Sequence, residues 1–416
     1  MLEKRIDLHF AMRLISSDLI YSLIPASGDT ENLVNSEKVL SGNQEIAKPL
    51  ENGTLVIKDD GTILEVLDYR PEGDQVEIWE GILCPGFINA HTHLELSHLL
   101  GQIPERTGLV EFILQIQKLR KSDPESIQES IKRAYFSLYQ EGILGFGDIS
   151  NGSDSFAVKE KGSIYSHTFL ECFSFLPARA ESALESGMAL KKLAQAGNLS
   201  SSLSPHAPYS VSEKLFSLIK ENEPGLQSIH NQESKAENEF YQTGEGDFKK
   251  LYESFGLDIS FYKPFQKPSL ETYLPWMGHQ KKLLVHNTFT TKEEMAWAKE
   301  FGVTWCLCPG ANLYIEGVLP NLSILKEFYP DMVLGTDSLA SNHALSILRE
   351  MKIIHQNFPD ISLNQILVWA CKNGAAFFDW ENLGSFEKGK KPGILNLRNK
   401  GNPLTFDDQT FLQRIL

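Results

Sequence analysis

The sequence predicts an α/β fold, a (β/α)8 TIM-type barrel with a small flanking β-sandwich domain formed by both chain ends. Two observations predict the barrel. Between Gly81 and Asp337, short apolar runs alternate with longer amphipathic or polar stretches, and these runs number eight. Such alternation is typical of βα units around a parallel sheet, and eight units suggest that the sheet closes.

The predicted strands are the apolar runs themselves, and helical signals lie between them. Asp123 and Pro124 resemble a helix cap and first turn, and apolar residues follow them at helical spacing. The eight runs cover residues 82–93, 143–149, 164–175, 203–211, 226–233, 283–289, 303–312 and 332–339.

The chain ends have a different pattern. Before Gly81, short alternating segments such as 54–57 and 75–79 are separated by the turn-forming sequences Asp-Asp-Gly and Pro-Glu-Gly, which indicate hairpins. The last residues again resemble short strands. We therefore expect residues 1–84 and 383–416 to form the small β-domain and residues 85–382 to form the barrel, with 27–52 as a long exposed loop.

Composition limits the classes of partner. The chain has 416 residues and a net charge of −15, which argues against nucleic acid or an anionic membrane surface as a partner. Its five cysteines are scattered and odd in number, which suits a reducing compartment. No stretch reaches the length of a membrane span. We expect a cytoplasmic protein that acts on a small molecule, and homo-oligomeric assembly stays open.

The first run ends in two histidines one residue apart, His91 and His93. Side chains alternate across a strand, so both imidazoles project from the same face. Divalent ions such as zinc accept imidazole nitrogen and carboxylate oxygen, and catalytic sites leave one position open for water. The pair predicts half of a metal site.

Three later runs end in further candidate ligands, His230, His286 and Asp337. In a barrel the catalytic groups lie at the C-terminal ends of the strands, so these side chains should meet His93. Taken singly, His286 is also compatible with core packing or with holding a water, and Asp337 with capping the next helix. Their shared position favours a metal centre.

Glu233 and His206 complete the candidate site. Glu233 lies three residues beyond His230 and could move protons, although a solvated loop acid fits as well. Prolines fix the backbone on both sides of His206, which makes it a rigidly placed donor to substrate or a turn cap. Asp148 and Glu171 end the second and third runs and could line the pocket, and Arg179 could grip an anionic or ribose-bearing substrate.

With these residues the chain resembles the amidohydrolase superfamily, within it the mononuclear branch of cytosine, adenosine-type and aminodeoxyfutalosine deaminases and triazine chlorohydrolases. The motifs, in order, are Pro-Gly-Phe-Ile-Asn-Ala-His-Thr-His, Ser-Pro-His-Ala-Pro-Tyr, His-x-x-Glu, Val-His-Asn, Cys-Pro-x-x-Asn and Gly-Thr-Asp-Ser-x-Ala-Ser-Asn. The resemblance covers almost the entire chain.

The resemblance implies a role for each candidate. One divalent metal, with Zn2+ favoured and Fe2+ or Mn2+ as alternatives, would be held by His91, His93, His230 and Asp337. Glu233 would be the proton shuttle, His286 and Asp337 would position and deprotonate the water, and His206 would touch the substrate.

The implied reaction is hydrolytic deamination of an aminated purine, pyrimidine or nucleoside-like heterocycle. The alternatives are opening of a cyclic amide, a triazine chlorohydrolase-type reaction, and a non-catalytic scaffold of the same fold. Residues 310–311 are Gly-Ala where relatives often have Arg-Ser, and the stretch 239–280 is long and polar, so the pocket roof is expected to be particular to this protein.

Overall fold

The computed structural model describes residues 12–26 and 39–416 of the chain. Strands and helices are numbered here in chain order. The strands are β1 (Met12–Ile20), β2 (Leu40–Ser41), β3 (Gln44–Glu45), β4 (Leu50–Glu51), β5 (Thr54–Lys58), β6 (Ile63–Leu67), β7 (Val76–Cys84), β8 (Phe87–His93), β9 (Ile143–Ser150), β10 (Tyr165–Cys172), β11 (Ser201–Pro205), β12 (Gln227–Asn231), β13 (Lys282–His286), β14 (Val303–Leu307), β15 (Met332–Leu334), β16 (Asp337–Ser338), β17 (Leu395–Asn399) and β18 (Thr410–Arg414).

The α-helices lie mostly between the strands from β8 onward. They are α1 (Leu109–Leu119), α2 (Pro124–Gln140), α3 (Phe156–Lys161), α4 (Ala180–Ala196), α5 (Glu213–Asn222), α6 (Lys235–Thr243), α7 (Asp247–Ser254), α8 (Ser269–Tyr273), α9 (Lys292–Ala298), α10 (Pro309–Ile315), α11 (Ile347–Asn357), α12 (Leu363–Leu367) and α13 (Asn373–Phe377). A π-helical turn, Val368–Lys372, joins α12 to α13.

The chain divides into two compact units. One comprises Met1–Ile88 and His355–Leu416, and the other comprises Asn89–Ile354. Strands from both chain ends form a seven-stranded sheet in the first unit, in the order β18-β17-β7-β1-β5-β6 with β4 beside β1. Apolar side chains of β1, β5 and β7 pack there against Phe386 and Ile394. A second layer, as in a sandwich, stays a prediction.

Part of the expected exposed loop lies outside the described residues, namely 27–38. The rest of it, 39–52, contains β2 and β3, which pair as a hairpin, and β4, which pairs with β1. Short strands thus occupy a stretch that its polar composition marked as irregular.

The second unit contains two parallel sheets. Their orders are β11-β10-β9-β8-β16 and β12-β13-β14-β15. Every residue of β12 and β13 is buried, as expected for parallel strands that are covered on both faces. Each of the eight predicted runs overlaps at least one of these strands, and helices connect most of them.

Two predicted runs are interrupted. The first is split into β7 and β8 at Pro85-Gly86, and the last is split into β15 and β16. At the second break, a side chain on Gly335 would lie 2.9 Å from both Cys306 Sγ and His91 Cβ, so only glycine fits. Asp337, two residues later, has φ of +56°. The eighth strand therefore bends just before its carboxylate.

Helix α2 begins where the sequence predicts it. The Asp123 side chain accepts a hydrogen bond from the Ser126 backbone N–H at 2.9 Å, and Pro124 occupies the first turn. Such a cap contributes about 1 kcal/mol. The buried face of the helix consists of Ser130, Ile131, Ala134 and Leu138, spaced by one and two turns.

The stretch 239–280 is richer in packed aromatic rings than its polar character suggested. Phe175 stacks on Tyr252 with ring centroids 4.6 Å apart, and Tyr209 stacks on Phe248 at 4.2 Å. These rings belong to one buried cluster that also includes Leu109 and Phe112 of α1. In the described part of the chain, no helix is long and apolar enough to cross a membrane.

Candidate metal centre

Four strands bring the candidate ligands to one place. His91 and His93 lie at the end of β8, His230 lies in β12, and His286 is the last residue of β13. Asp337 begins β16, whose pairing sets it opposite Thr92 between the two histidines of β8. Because parallel strands present their C-terminal ends at the same edge, residues far apart in sequence converge here.

These five side chains, called the metal cluster below, meet through their polar atoms. His93 Nε2 lies 3.1 Å from His91 Nε2, 3.4 Å from His230 Nε2 and 3.1 Å from Asp337 Oδ1. Ligand atoms of His91, His230, His286 and Asp337 all lie within 4.8 Å of one another. Imidazole nitrogen and carboxylate oxygen are ligands that zinc, iron and manganese accept.

The proton balance of the cluster fits a bound cation. His230 Nδ1 donates to the backbone carbonyl of His206 at 2.8 Å, so its Nε2 lone pair faces the cluster. His286 Nε2 is buried without a hydrogen-bond partner among the described residues. Buried polar atoms without partners are costly, and nitrogen lone pairs facing a carboxylate leave room for a divalent ion.

Outer contacts hold two members of the cluster in place. Asp337 Oδ2 accepts a hydrogen bond from the Ser341 hydroxyl at 2.5 Å, and His286 Nδ1 lies 3.0 Å from Asn312 Oδ1. The amide oxygen only accepts, so His286 Nδ1 carries a proton and Nε2 is left for the cluster. His286 also has φ of +74°, an uncommon conformation for a non-glycine residue.

Glu233 lies beside the cluster and is almost fully buried, with 3% of its surface exposed. Its Oε2 is 3.6 Å from His286 Nε2. Burial and then the charge of Asp337 raise the pKa of Glu233 well above its ordinary value. Burial therefore favours the protonated form of the Glu233 carboxyl.

A second carboxylate, Glu171 at the end of β10, contacts His206. Glu171 Oε1 lies 2.7 Å from His206 Nδ1, and Oε2 accepts from the side-chain amide of Asn151 at 2.6 Å. Burial raises the pKa of Glu171, but its interactions with the surrounding histidines, first of all His206, outweigh burial and leave that pKa below its ordinary range.

The cluster opens into a cavity of about 710 Å³. Glu171, His206 and Glu233 line it near the metal cluster, whereas the remaining wall is largely apolar and aromatic. Arg179 lies at the exposed part of this wall. The volume is in the range of small-molecule sites.

Asp148 does not line this cavity. Its Oδ2 pairs with Lys159 Nζ at 2.6 Å, both side chains are fully buried, and its Oδ1 accepts from the Leu94 backbone N–H at 3.0 Å. Asp148 therefore anchors the backbone directly after His93. Its position at a strand end was visible in the sequence, but its lysine partner was not.

Comparison with known protein families identifies the family of this chain. Residues 82–404, about three quarters of the chain, match the amidohydrolase family. The chain belongs to the amidohydrolase family. The match confirms the resemblance drawn from the six motifs, and with it the predicted class of enzyme, an amidohydrolase-type hydrolase.

Several proteins of known activity or structure are similar to this amidohydrolase. An adenosine deaminase of Helicobacter pylori is 27% identical over 354 residues, which cover 80% of this chain and 85% of that protein. The crystal structure of Helicobacter pylori aminofutalosine deaminase in complex with methylthio-coformycin superimposes with a TM-score of 0.72 at 23% identity. The match covers 92% of this chain and 91% of that chain. The crystal structure of an adenosine deaminase from Xanthomonas campestris with bound zinc superimposes with a TM-score of 0.61 at 20% identity. The match covers 92% of this chain and 84% of that chain.

Proposed function

We propose that this amidohydrolase hydrolyses the exocyclic C–N bond of an aminated purine, pyrimidine or nucleoside-like heterocycle and releases ammonia. The observation that carries the proposal is the buried carboxyl of Glu233, 3.6 Å from His286 Nε2 at the edge of the metal cluster. The deaminases among the similar proteins support the same reaction.

One divalent ion, for which zinc is the first choice, would be held by His91, His93, His230 and Asp337. When bound, such an ion would lower the pKa of a water to about 7 and so supply the nucleophile at neutral pH. The zinc of one structural neighbour supports this choice, and iron or manganese suits the same ligands.

The chain's own residues would handle the protons. The carboxylate of Asp337 accepts the proton of the attacking water, and His286 Nε2 helps to hold that water in line. Glu233 gives its proton to the ring nitrogen next to the reacting carbon. Glu233, now ionised, takes up the proton that Asp337 received and passes it to the leaving amine, which departs as ammonia. The proton of the added hydroxyl returns to Glu233 as the carbonyl group forms.

His206 would contact the substrate from the cavity wall, and the apolar remainder of the cavity would exclude water from the reacting ring. Arg179 stays available at the exposed end of the cavity for an anionic or hydroxyl-rich part of the substrate.

We also propose that the two parallel sheets form one closed (β/α)8 barrel over residues 85–382, with 1–84 and 383–416 as the small β-domain. Backbone hydrogen bonds between the sheets support closure. His230 N donates to His206 O at 3.0 Å, and at the other side Gly335 N donates to Leu307 O and Thr336 N to His91 O.

The five cysteines are buried and unpaired, which supports a reducing, cytoplasmic location. Homo-oligomeric assembly is compatible with this proposal and is not required by it, because every candidate residue comes from one chain.

The direct test is an ammonia-release assay on the zinc-loaded protein with a panel of aminated purines, pyrimidines and their nucleosides. We expect one or a few members to yield ammonia and the matching carbonyl product, identified by mass. Turnover of a cyclic amide or a chlorotriazine without ammonia release from any amine would replace deamination with one of the alternative hydrolyses.

A further inference from the structure

Four polar side chains form a connected group on the cavity wall beside the metal cluster, called the Glu171 network below: His206, Glu171, Asn151 and Arg120. Glu171 binds His206 Nδ1 through Oε1 and the Asn151 amide through Oε2. Asn151 Oδ1 accepts from Arg120 at 3.3 Å, and the Asn151 backbone N–H donates to Glu95 at 2.9 Å. Both oxygens of Glu171 therefore face donors.

Glu171, His206 and His230 could also be read as a second metal site, because their ligand atoms lie within 4.8 Å of one another. The hydrogen bonds argue against that assignment. His230 Nδ1 donates to the His206 carbonyl at 2.8 Å, so it has no lone pair for an ion on that side. Glu171 is already occupied by two donors. The group is built to orient a ring, since its polar atoms are satisfied within the protein.

We propose that Glu171 is the positioning residue of His206 and fixes its tautomer. A carboxylate that accepts at Nδ1 places the proton of the neutral imidazole there and leaves the lone pair on Nε2. His206 then accepts a hydrogen bond, so the site selects a substrate with an O–H or N–H group at that point. The identity of that substrate rests on the proposed function; the role of Glu171 does not.

This inference changes the role expected from the sequence, in which His206 was taken as a donor. It also explains why a carboxylate lies almost buried in the cavity wall, with 8% of its surface exposed. An ionised side chain in that position is expensive unless it is hydrogen-bonded on both oxygens. Asn151 supplies the second bond and is itself held by Arg120 and Glu95.

The test reads the tautomer directly. In zinc-loaded protein labelled with 15N-histidine, two-bond proton–nitrogen correlations distinguish Nδ1–H from Nε2–H rings, and the variant His206→Asn assigns the signal of His206. We expect Nδ1–H in the native chain and a shift toward Nε2–H in Glu171→Ala. An unchanged His206 tautomer in Glu171→Ala would overturn the proposal. Glu171→Gln serves the same test if the alanine variant does not fold. A glutamine side chain has one accepting oxygen and one donating nitrogen, so it cannot accept from both His206 and Asn151 as Glu171 does.

A double variant provides the rescue. In Glu171→Gln with Asn151→Asp, the glutamine oxygen can accept from His206 while its amide donates to the new aspartate, which still accepts from Arg120. We expect Nδ1–H to return. If His206 in the double variant instead shows the Nε2–H tautomer expected for Glu171→Ala, residue 171 does not position His206 through this hydrogen bond.

Kinetics gives an independent measure once a substrate is known. Loss of a hydrogen bond from a carboxylate typically costs about tenfold or more, so Glu171→Ala should lower kcat/KM by that factor, mainly through KM, with zinc content unchanged. The control is Glu185→Ala, which removes an exposed glutamate of α4. If no aminated heterocycle is turned over, the proposed reaction fails while the tautomer result stands. If deamination is intact and the tautomer does not depend on Glu171, only the positioning role fails.

Discussion

The metal cluster and the Glu171 network lie side by side but satisfy their polar atoms in opposite ways. In the cluster, ring nitrogens of His91, His93 and His230 face one another at 3.1–3.4 Å, and His286 Nε2 has no partner among the described residues. In the network, Glu171 has a hydrogen bond on each oxygen. The cluster therefore leaves nitrogen atoms without a hydrogen-bond partner, as the proposed ion requires, whereas the network pairs both oxygens of its carboxylate.

His230 joins the two groups. Its Nδ1 is committed to the backbone of His206, and its Nε2 faces the cluster. One imidazole thus has a protein partner on one side and a place for an ion on the other, as is usual for histidine ligands of metals. Substitution of a member of either group tests whether the two groups have different roles.

The largest effect is expected from His91→Ala, because His91 is fully buried and its Nε2 lies 3.1 Å from His93 Nε2 and 3.5 Å from Asp337 Oδ1. Bound zinc should fall from about one ion per chain to near zero, and turnover should fall to background. Elemental analysis after gel filtration measures the first and the ammonia assay the second. The matched control is His279→Ala, since His279 is exposed; full zinc content in both variants would contradict the assignment of the cluster.

The next effect separates chemistry from metal binding. Glu233→Gln keeps the size of the side chain but removes its proton transfer, so zinc content should be retained while kcat falls about 10²- to 10⁴-fold. Glu239→Gln, on the exposed side of the following helix α6, is the control for an amide substitution nearby. Near-native kcat in Glu233→Gln would remove Glu233 from the mechanism.

A smaller effect is expected at His206, which belongs to the Glu171 network and is not one of the proposed metal ligands. His206→Asn should retain zinc and lower kcat/KM about tenfold, mostly by raising KM, because one hydrogen bond to substrate is lost. Titration of the zinc-loaded variant with product, followed by calorimetry, would show the weaker binding directly. Loss of zinc from His206→Asn would instead place His206 among the ligands and abolish the distinction between the two groups.

The sequence predicted the metal cluster better than the network, and the reason is physical. His91 and His93 share a strand face by their spacing alone, and His230, His286 and Asp337 follow apolar runs whose ends must meet in a parallel sheet. Each of these residues carries its signal locally.

The sequence also marked Glu171 and His206 as candidate pocket residues, but it carried no signal for the contact between them. Glu171 and His206 are 35 residues apart on neighbouring strands, and their contact depends on the register of β10 against β11, which pairs Glu171 with Ser204. Asn312, which contacts His286, likewise comes from another segment. Partners across strands follow from register, and register is not legible in a single sequence.

Glu237 shows how a buried atom without a partner behaves outside the site. Substitution of Glu237 should have the smallest effect on turnover. Like the cluster histidines it has a buried atom, Oε2, without a partner among the described residues, but no imidazole faces it. Its Oε1 accepts from the Gln232 backbone N–H at 3.1 Å and from the Ser269 hydroxyl. Burial raises the pKa of Glu237 from 4.5 to about 8, so a proton neutralises this buried carboxyl.

This difference predicts how stability depends on pH. Between about pH 4.5 and 8 the unfolded chain has lost the Glu237 proton while the folded protein keeps it, so the unfolded state binds fewer protons and stability falls as pH rises through this window. Glu237→Gln introduces a neutral side chain of the same shape and should remove this slope. On going from pH 5 to pH 8, the free energy of unfolding of the native protein should therefore fall relative to that of the variant, by roughly several kcal/mol at most. Urea unfolding of both proteins at pH 5, 6, 7 and 8 measures it. Parallel curves would mean that Glu237 is ionised when folded and that a buried oxygen without a partner does not mark a proton-bearing carboxyl in this protein.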